Sequence, residues 1–156
     1  MIKNNVTRLL EAHGVRYSAF ELPAEKLSAL EAARYLGVEP EQVFKTIVVL
    51  REGTGKPILA VVPGSLEVDI KAMAKAVGEK KLILATQRQA EQVTGLLTGG
   101  ISPLALLNRG FEVVLDELAQ LYAEIYISGG QRGLNVRLPV SALIEITGAR
   151  LAAITS

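Results

Sequence analysis

Two apolar runs joined by a short glycine-containing segment constrain the fold of this chain more than any other feature. The runs are "VFKTIVVL" and "PILAVVPG", residues 43–50 and 57–64, and they are rich in residues that favour strands. The segment "REGTGK" between them has the glycine turn chemistry of a hairpin. Strands that are apolar along their whole length favour an α/β fold with a mixed sheet.

Helical patterns alternate with these and other strand-like runs. Apolar spacing and terminal glycines predict helices over residues 3–13, 28–37, 69–78, 86–95 and 140–148. Further strands are predicted over residues 15–20, 80–85, 111–117, 123–130, 133–139 and 149–154. Two of the helices begin with capping-box spacing, Ser28 with Glu31 and Thr86 with Gln89.

Length and composition indicate one globular unit. The chain has 156 residues, 49% of them hydrophobic and 21% charged, which is enough to bury a core. No repeat, low-complexity segment or linker interrupts it. We therefore expect residues 1–156 to form a single domain.

The residue inventory excludes several kinds of chemistry. Cysteine is absent, so no disulfide, thiolate metal site or cysteine nucleophile can form. The one histidine, His13, is interpreted as a structural or partly exposed residue of the first helix. There is no aspartate-rich metal loop and no phosphate-loop motif. We expect no metal and no cofactor.

Charge and aromatic content limit the partners. A net charge of +1 argues against a strong non-specific nucleic-acid binder, and DNA is not expected as a partner. Aromatic residues are only 4%, so RNA would be contacted through phosphates or a terminal nucleotide rather than by stacking. Neither a signal peptide nor an apolar run that could span a bilayer is present, and we expect a cytoplasmic protein without membrane contact.

A group of basic residues around the third and fourth helices has two interpretations. A solvated face is the favoured one, and a basic rim for a phosphate backbone is the alternative. The group consists of Lys71, Lys75, Lys80, Lys81 and Arg88.

Lys45 and two glycine-rich loops remain as candidates for a site. Lys45 stands near the start of an apolar strand, where burying an unpaired charge is costly. The loops are "TGGISP", residues 98–103, and "SGGQRG", residues 128–133, and glycines let backbone N–H groups approach an anion or oxyanion. The residues alone leave open that the loops are ordinary turns and that Lys45 extends its ammonium to water.

Three ordered segments resemble a known family. The stretches "LGVEPEQVFKTIVV", "TGLLTGGISPL" and "IYISGGQRGLNVRL" are similar to the YbaK/EbsC family of aminoacyl-tRNA deacylases, which are related to the editing domain of bacterial prolyl-tRNA synthetases. The similarity covers almost the whole chain and is strongest to the branch that acts on Cys-tRNA(Pro). It implies a compact α/β fold with a mixed, curved, barrel-like sheet, flanking helices and a pocket on one side.

The resemblance also assigns residues to a site. It implies that Lys45 meets the terminal phosphate or the ester oxygens of a tRNA 3′ end, and that backbone N–H groups of Gly100 and Ile101 bind the carbonyl oxygen or hold the aminoacyl group in place. The substrate-binding residues that it implies are Leu22, Ser28, Thr46, Gly99, Ser102, Pro103, Ser128, Gly129, Gly130 and Asn135.

The implied reaction removes a wrong amino acid without a protein nucleophile. In the Cys-tRNA(Pro) branch the thiol of the attached cysteine attacks its own ester and leaves as a thiolactone. This chain departs from that branch at Leu22, where relatives carry tyrosine, at Asn135, where they carry aspartate, and around Ser28. The resemblance makes cysteine the first choice of substrate amino acid. Because of the departures, alanine or another small amino acid on tRNA(Pro) is the second choice.

Other functions stay open. A non-catalytic module that binds aminoacyl-tRNA or a synthetase is the main alternative, and a small-anion or nucleotide-binding domain is the third. The expected partner is the tRNA acceptor end that carries the amino acid. The family further suggests prolyl-tRNA synthetase as a partner.

Overall fold

The strands and helices follow the sequence pattern closely. The computed structural model describes residues 2–53 and 55–156 of the chain. Within these ranges the helices are α1 Asn5–Ala12, α2 Ala29–Leu36, α3 Ile70–Val77, α4 Gln87–Thr94 and α5 Val140–Thr147. The strands are β1 Ser18–Glu21, β2 Phe44–Arg51, β3 Ile58–Pro63, β4 Leu82–Leu84, β5 Glu112–Asp116, β6 Glu124–Ser128, β7 Leu134–Pro139 and β8 Arg150–Ala152.

The strands are arranged in two sheets. A five-stranded mixed sheet has the order β4-β2-β3-β5-β8, with β3–β5 and β5–β8 parallel and the other pairs antiparallel. A three-stranded antiparallel sheet has the order β1-β7-β6. One bridge between Val43 and Tyr126 links them. The mixed α/β fold is confirmed, but the sheets are not closed into a barrel.

The predicted hairpin is confirmed and places Lys45. Strands β2 and β3 pair antiparallel, with Lys45 opposite Val62. Thr54, in the predicted turn, lies outside the described residues. Because successive side chains of a strand point to opposite faces, Lys45 shares the face of Ile47 and Val49 and lies at its end. Its charge is therefore at the margin of an apolar face and not in the middle of one.

Local capping explains where the helices begin. Ser28 and Glu31 form a reciprocal capping box on α2, and Thr86 and Gln89 form one on α4, as predicted. In each box the side chain of the N-cap residue accepts from a backbone N–H that the helix cannot satisfy itself. The α2 box matters for the site because it fixes the chain just before the helix.

Three groups of buried residues hold these layers together. The largest lies between the two sheets and includes Val48 and Leu59 from one sheet and Ile127 and Leu138 from the other. A second lies between the opposite face of the five-stranded sheet and α3. The third packs α2 against the three-stranded sheet around Tyr126. Burial of this apolar surface is the main favourable term in folding.

No helix among the described residues is long and apolar enough to cross a bilayer.

Candidate active site

A pocket of about 450 Å³ opens where the two sheets meet. Its walls come from the start of β2, the segment before α2, the 98–101 loop and the adjoining ends of β6 and β7. Eight of the residues expected at a site line it: Leu22, Ser28, Lys45, Thr46, Gly99, Ile101, Ser128 and Asn135. Five others do not line it: Gly100, Ser102, Pro103, Gly129 and Gly130.

Lys45 reaches the pocket from the second position of β2. Its side chain is 22% exposed, and its Nζ lies 3.4 Å from the carbonyl oxygen of Gly64 and 3.4 Å from Oε1 of Glu67. Both distances are beyond the usual range for a hydrogen bond of nitrogen to oxygen. The ammonium is thus partly desolvated yet only loosely held, which leaves it available to an anionic ligand.

The two backbone donors expected in the 98–103 loop differ. The N–H of Gly100 donates to the carbonyl of Leu97 at 2.8 Å, which closes a turn of the loop. The N–H of Ile101 makes no hydrogen bond within residues 2–53 and 55–156. Ile101 also lines the pocket and is 7% exposed as a residue. Of the two donors that were expected, the N–H of Gly100 is therefore engaged within the protein and that of Ile101 is not, among the described residues.

Close packing of the two loops explains Gly100. A Cβ on Gly100 would lie 2.9 Å from Cα of Gln131 and 3.0 Å from the backbone nitrogen of Arg132. These are backbone atoms of the second glycine loop, so a methyl group there would push the loops apart. Contact between protein segments is therefore sufficient to require glycine at this position.

The glycines of the second loop are also packing residues. A Cβ on Gly129 would lie 2.5 Å from Cγ of Leu134, and one on Gly130 would lie 2.7 Å from Cγ2 of Val6. Gly129 donates its N–H to Leu134 at 2.8 Å and accepts from Nδ2 of Asn4 at 2.8 Å. The loop is thereby fixed between β7 and the start of α1.

Three polar or turn residues complete the loop contacts. Ser128 accepts from the N–H of Gly130 at 3.2 Å, and its hydroxyl lies 3.4 Å from the carbonyl of Gly99. Ser102 is fully buried and accepts from the N–H of Leu104 at 3.2 Å. Pro103 follows it and is buried too. Ser128 faces the pocket, whereas Ser102 and Pro103 shape the turn behind it.

The two residues that depart from the Cys-tRNA(Pro) branch both line the pocket. Leu22 belongs to the segment before α2, and Asn135 lies on β7 opposite Phe20 and Ser128. Asn135 is 8% exposed, and its Oδ1 is buried without a hydrogen-bond partner among the described residues. A buried polar atom without a partner is costly, so the pocket wall is not optimised for stability at this position.

Thr98 begins the predicted 98–103 loop and lines the pocket, although it was not singled out as a site residue. Its N–H donates to Oε2 of Glu91 at 2.8 Å, and its carbonyl accepts from Nε of Arg132 at 2.7 Å. Hydrogen bonding from the Thr98 backbone is the main reason that the pKa of Glu91 is lowered. These contacts fix the loop immediately before Gly99. No sequence signal links Glu91 or Arg132 to this position, because the contacts are set by the fold.

Glu67 and Lys26 also line the pocket and were not predicted. Glu67 lies between β3 and α3 and is 86% exposed at its side chain. Lys26 donates to Oε1 of Gln87 at 2.6 Å. The basic group of Lys71, Lys75, Lys80, Lys81 and Arg88 does not line the pocket.

The remaining candidates for acid–base or metal chemistry lie elsewhere. His13 is an exposed residue at the C-terminal end of α1 and does not line the pocket. The described part of the chain holds no group of three or more His, Cys, Asp or Glu side chains that could bind a metal ion. The described lining of the pocket therefore offers ammonium, carboxylate and hydroxyl groups but no imidazole.

Comparison with known proteins identifies the class to which this fold and pocket belong. The pattern of the family described as "Aminoacyl-tRNA editing domain" matches residues 24–146. The chain belongs to this family of aminoacyl-tRNA editing domains, whose members remove amino acids from tRNA. The matched range contains every expected site residue except Leu22.

Individual relatives place it more narrowly, among YbaK/EbsC proteins. A protein of Enterococcus faecalis named "Putative Cys-tRNA(Pro)/Cys-tRNA(Cys) deacylase EbsC" is 38% identical over 99% of this chain and 94% of its own length. The crystal structure of "a putative trans-editing enzyme for prolyl tRNA synthetase" has a TM-score of 0.81 at 28% identity, covering 100% of this chain and 99% of that one. The crystal structure of "hypothetical protein APE2540" has a TM-score of 0.89 at 26% identity, covering 98% and 100%. The resemblance to YbaK/EbsC is confirmed.

Proposed function

We propose that this chain is a trans-editing deacylase that removes a wrongly attached small amino acid from tRNA, with Cys-tRNA(Pro) as its first substrate. The observation that carries the proposal is that one pocket is lined both by the loosely held Lys45 and by Ile101, whose N–H has no hydrogen-bond partner among the described residues. The name of the Enterococcus faecalis relative supports the choice of cysteine.

In this proposal Lys45 supplies charge and Ile101 supplies a dipole. The Lys45 ammonium binds the terminal phosphate or the oxygens around the ester. The Ile101 N–H donates to the carbonyl oxygen as negative charge develops on it. Removal of one donor of this type costs about 100–1000-fold in rate in other enzymes.

The substrate supplies the nucleophile. The sulfur of the attached cysteine bonds to its own carbonyl carbon, the bond from that carbon to the 3′-oxygen breaks, and the thiol proton passes to the 3′-oxygen. The products are a four-membered thiolactone and tRNA with a free 3′-hydroxyl. An aminoacyl ester is already activated, so positioning and electrostatics supply what the reaction needs from the protein.

Deacylation of three charged tRNAs tests the proposal. Cys-tRNA(Pro), Ala-tRNA(Pro) and Pro-tRNA(Pro) are incubated with wild type, Lys45→Ala and a control variant, Lys71→Ala. Lys71 is an exposed lysine of α3 that does not line the pocket, so its substitution changes net charge equally and leaves the site intact. We expect Lys45→Ala to fold, because the substitution removes no fully buried side chain, and circular dichroism checks this.

We expect wild type and Lys71→Ala to cleave Cys-tRNA(Pro) and to spare Pro-tRNA(Pro), and Lys45→Ala to be inactive while folded. Faster cleavage of Ala-tRNA(Pro) would reassign the amino acid and would replace the thiolactone step by attack of water on the ester, because alanine has no thiol. Full activity of Lys45→Ala would remove the lysine from the mechanism.

A non-catalytic binding module is the second candidate, and one observation favours it. The N–H of Gly100 is bonded to Leu97, so one of the two donors expected to form an oxyanion hole is already engaged within the protein. In that case all three tRNAs stay intact while tRNA still binds. Binding in either case is directed to the acceptor end and weakens with salt, since a chain of net charge +1 makes few phosphate contacts.

A further inference from the structure

The charged side chains around the pocket are not equally free. They are Lys26, Lys45, Glu25, Glu31 and Glu67. Glu31 is engaged by the Ser28 N–H at 2.9 Å in the capping box of α2, and this backbone contact is the main cause of its lowered pKa. Lys45 and Glu67 form an ion pair with each other.

The pair of Lys45 and Glu67 is easy to exchange. Its atoms are 3.4 Å apart, and the Glu67 side chain is 86% exposed, so water screens the attraction. Ion pairs of this type contribute about 0.2–1 kcal/mol. A ligand that offers an anion to Lys45 and a cation to Glu67 can therefore separate them at little cost.

The backbone of Glu67 is nevertheless fixed. Its carbonyl accepts from the N–H of Ser156 at 3.2 Å, and the next residue, Val68, forms a β-bridge with Thr155. Asp69 then donates its N–H to Ile154 at 2.7 Å. Residues 154–156, which we call the clamp, thus hold the segment that carries Glu67.

A buried carboxylate holds the clamp in turn. Asp116 is 1% exposed, and its Oδ1 accepts from the N–H of Ile154 at 3.0 Å and from the hydroxyl of Thr155 at 3.2 Å. Glu67 therefore combines a fixed backbone with a carboxylate that is free to change partners. This combination is suited to a ligand-binding side chain.

The substrate class proposed above carries both charges that such an exchange needs. Every aminoacyl ester has an α-amine one carbon from the ester carbonyl, and α-amines have an ordinary pKa of about 8, so they are mostly protonated at neutral pH. The tRNA end supplies phosphate anions. We propose that Glu67 binds the α-ammonium group of the substrate while Lys45 turns to the anionic or oxyanionic part, an inference that rests on the proposed function.

Glu67 fits this role better than the other two carboxylates. Glu31 is engaged by its helix cap, and its loss would damage α2. Glu25 lines the pocket but has no ion pair with Lys45. A carboxylate next to Lys45 is also next to the centre where the ester is proposed to react.

A binding measurement tests Glu67 without depending on catalysis. The probes are 3′-alanylamino-3′-deoxyadenosine, which has a stable amide in place of the ester, and its lactyl counterpart, in which a hydroxyl replaces the α-amine. Calorimetric titration at pH 7 is carried out with wild type, Glu67→Gln and the control Glu39→Gln. Glu39 is exposed and does not line the pocket, so the control removes the same charge elsewhere.

We expect wild type and Glu39→Gln to bind the amine probe about tenfold more tightly than the hydroxyl probe, as for a charge-assisted hydrogen bond. Glu67→Gln should bind both probes equally. Glu25→Gln is titrated as well, because Glu25 is the other carboxylate of the pocket that the helix cap does not engage. Three results would overturn the inference: no preference in wild type, a preference that Glu67→Gln retains, or a preference lost only in Glu25→Gln. Deacylation of Cys-tRNA(Pro) is measured separately, so a failure of the proposed function is distinguished from a failure at Glu67.

Discussion

Substitution of Gly100 by alanine separates a packing role from a ligand-contact role. The added Cβ would lie 2.9 Å from Cα of Gln131 and 3.0 Å from the nitrogen of Arg132, closer than real Cβ contacts allow. Both neighbours are backbone atoms, so no side-chain rotation can relieve the contact. The φ angle of Gly100 lies outside the left-handed region, so alanine itself is tolerated there and only the contact opposes it.

The expected size follows from two opposing contributions. Overpacking by one methyl group costs about 1–3 kcal/mol, and replacing glycine by alanine returns about 0.4–1 kcal/mol through the unfolded chain. The net loss is about 1–2 kcal/mol, which for a chain of this length lowers Tm by about 2–8 °C. Activity should fall as well, because the shifted loop misplaces the N–H of Ile101.

Thermal unfolding and deacylation are measured on the same preparations, with Gly78→Ala as the control. Gly78 ends α3, and a Cβ there meets no atom within 4 Å. Its φ of +74° gives a conformational penalty without a steric contact, so Gly78→Ala should lose stability and keep activity. A Gly100→Ala protein with unchanged Tm and lost activity would refute the packing argument, since the methyl group would then have to contact the substrate.

Three further substitutions test other contacts of the site. Glu91→Gln should lower Tm at pH 7 because it weakens the hydrogen bond from the Thr98 N–H. The pKa of Glu91 is lowered on folding, so the stability that its carboxylate contributes is present above the ordinary pKa of glutamate and is lost as pH falls. The Tm values of wild type and Glu91→Gln should therefore converge in acid. Asp116→Ala should cost about 2–4 kcal/mol by leaving buried donors unpaired, and hydrogen exchange should rise at residues 67–69; unchanged exchange there would contradict the clamp. Asn135→Leu should stabilise the protein by about 1 kcal/mol in urea unfolding, because it removes an unpaired buried oxygen, and it should also alter substrate choice. No gain in stability would mean that Oδ1 of Asn135 has a hydrogen-bond partner in solution.

Local features were predictable from the sequence. The capping boxes at Ser28 and Thr86 were confirmed because each depends on residues three apart in the chain. The hairpin of β2 and β3 was confirmed because its turn and both strands are adjacent. Lys45 was found because a lone charge in an apolar run is unusual.

Non-local features were not predictable. The parallel pairing of β3 with β5 joins strands that are separated by α3, β4 and α4, and nothing in either strand specifies its neighbour. The division into two sheets was missed for the same reason. The packing role of Gly100 depends on Gln131, and the position of Glu67 depends on the clamp, so neither is encoded by the residues next to it.

The glycine loops were interpreted through the chemistry that a free backbone allows. The N–H of Gly100 closes a turn with Leu97, whereas that of Ile101 has no partner among the described residues, and the roles of both with a substrate stay predictions. A sequence pattern cannot distinguish a glycine that is needed for contact with a ligand from one that is needed for contact with another loop, because both requirements select glycine.

Different residues hold the glycine loops together and line the variable wall of the pocket. This separation has a consequence for evolution and engineering. Gly100, Gly129 and Gly130 tolerate almost no change, because each is surrounded by protein. Asn135 lines the cavity with an oxygen that has no hydrogen-bond partner among the described residues, and Leu22 is a partly buried residue at the margin of the cluster around Tyr126, so we expect both to be exchanged at lower cost. Such a scaffold lets a lineage acquire a new substrate through one or two point mutations, and it identifies those two positions as the first to randomise in a library selected for altered proofreading.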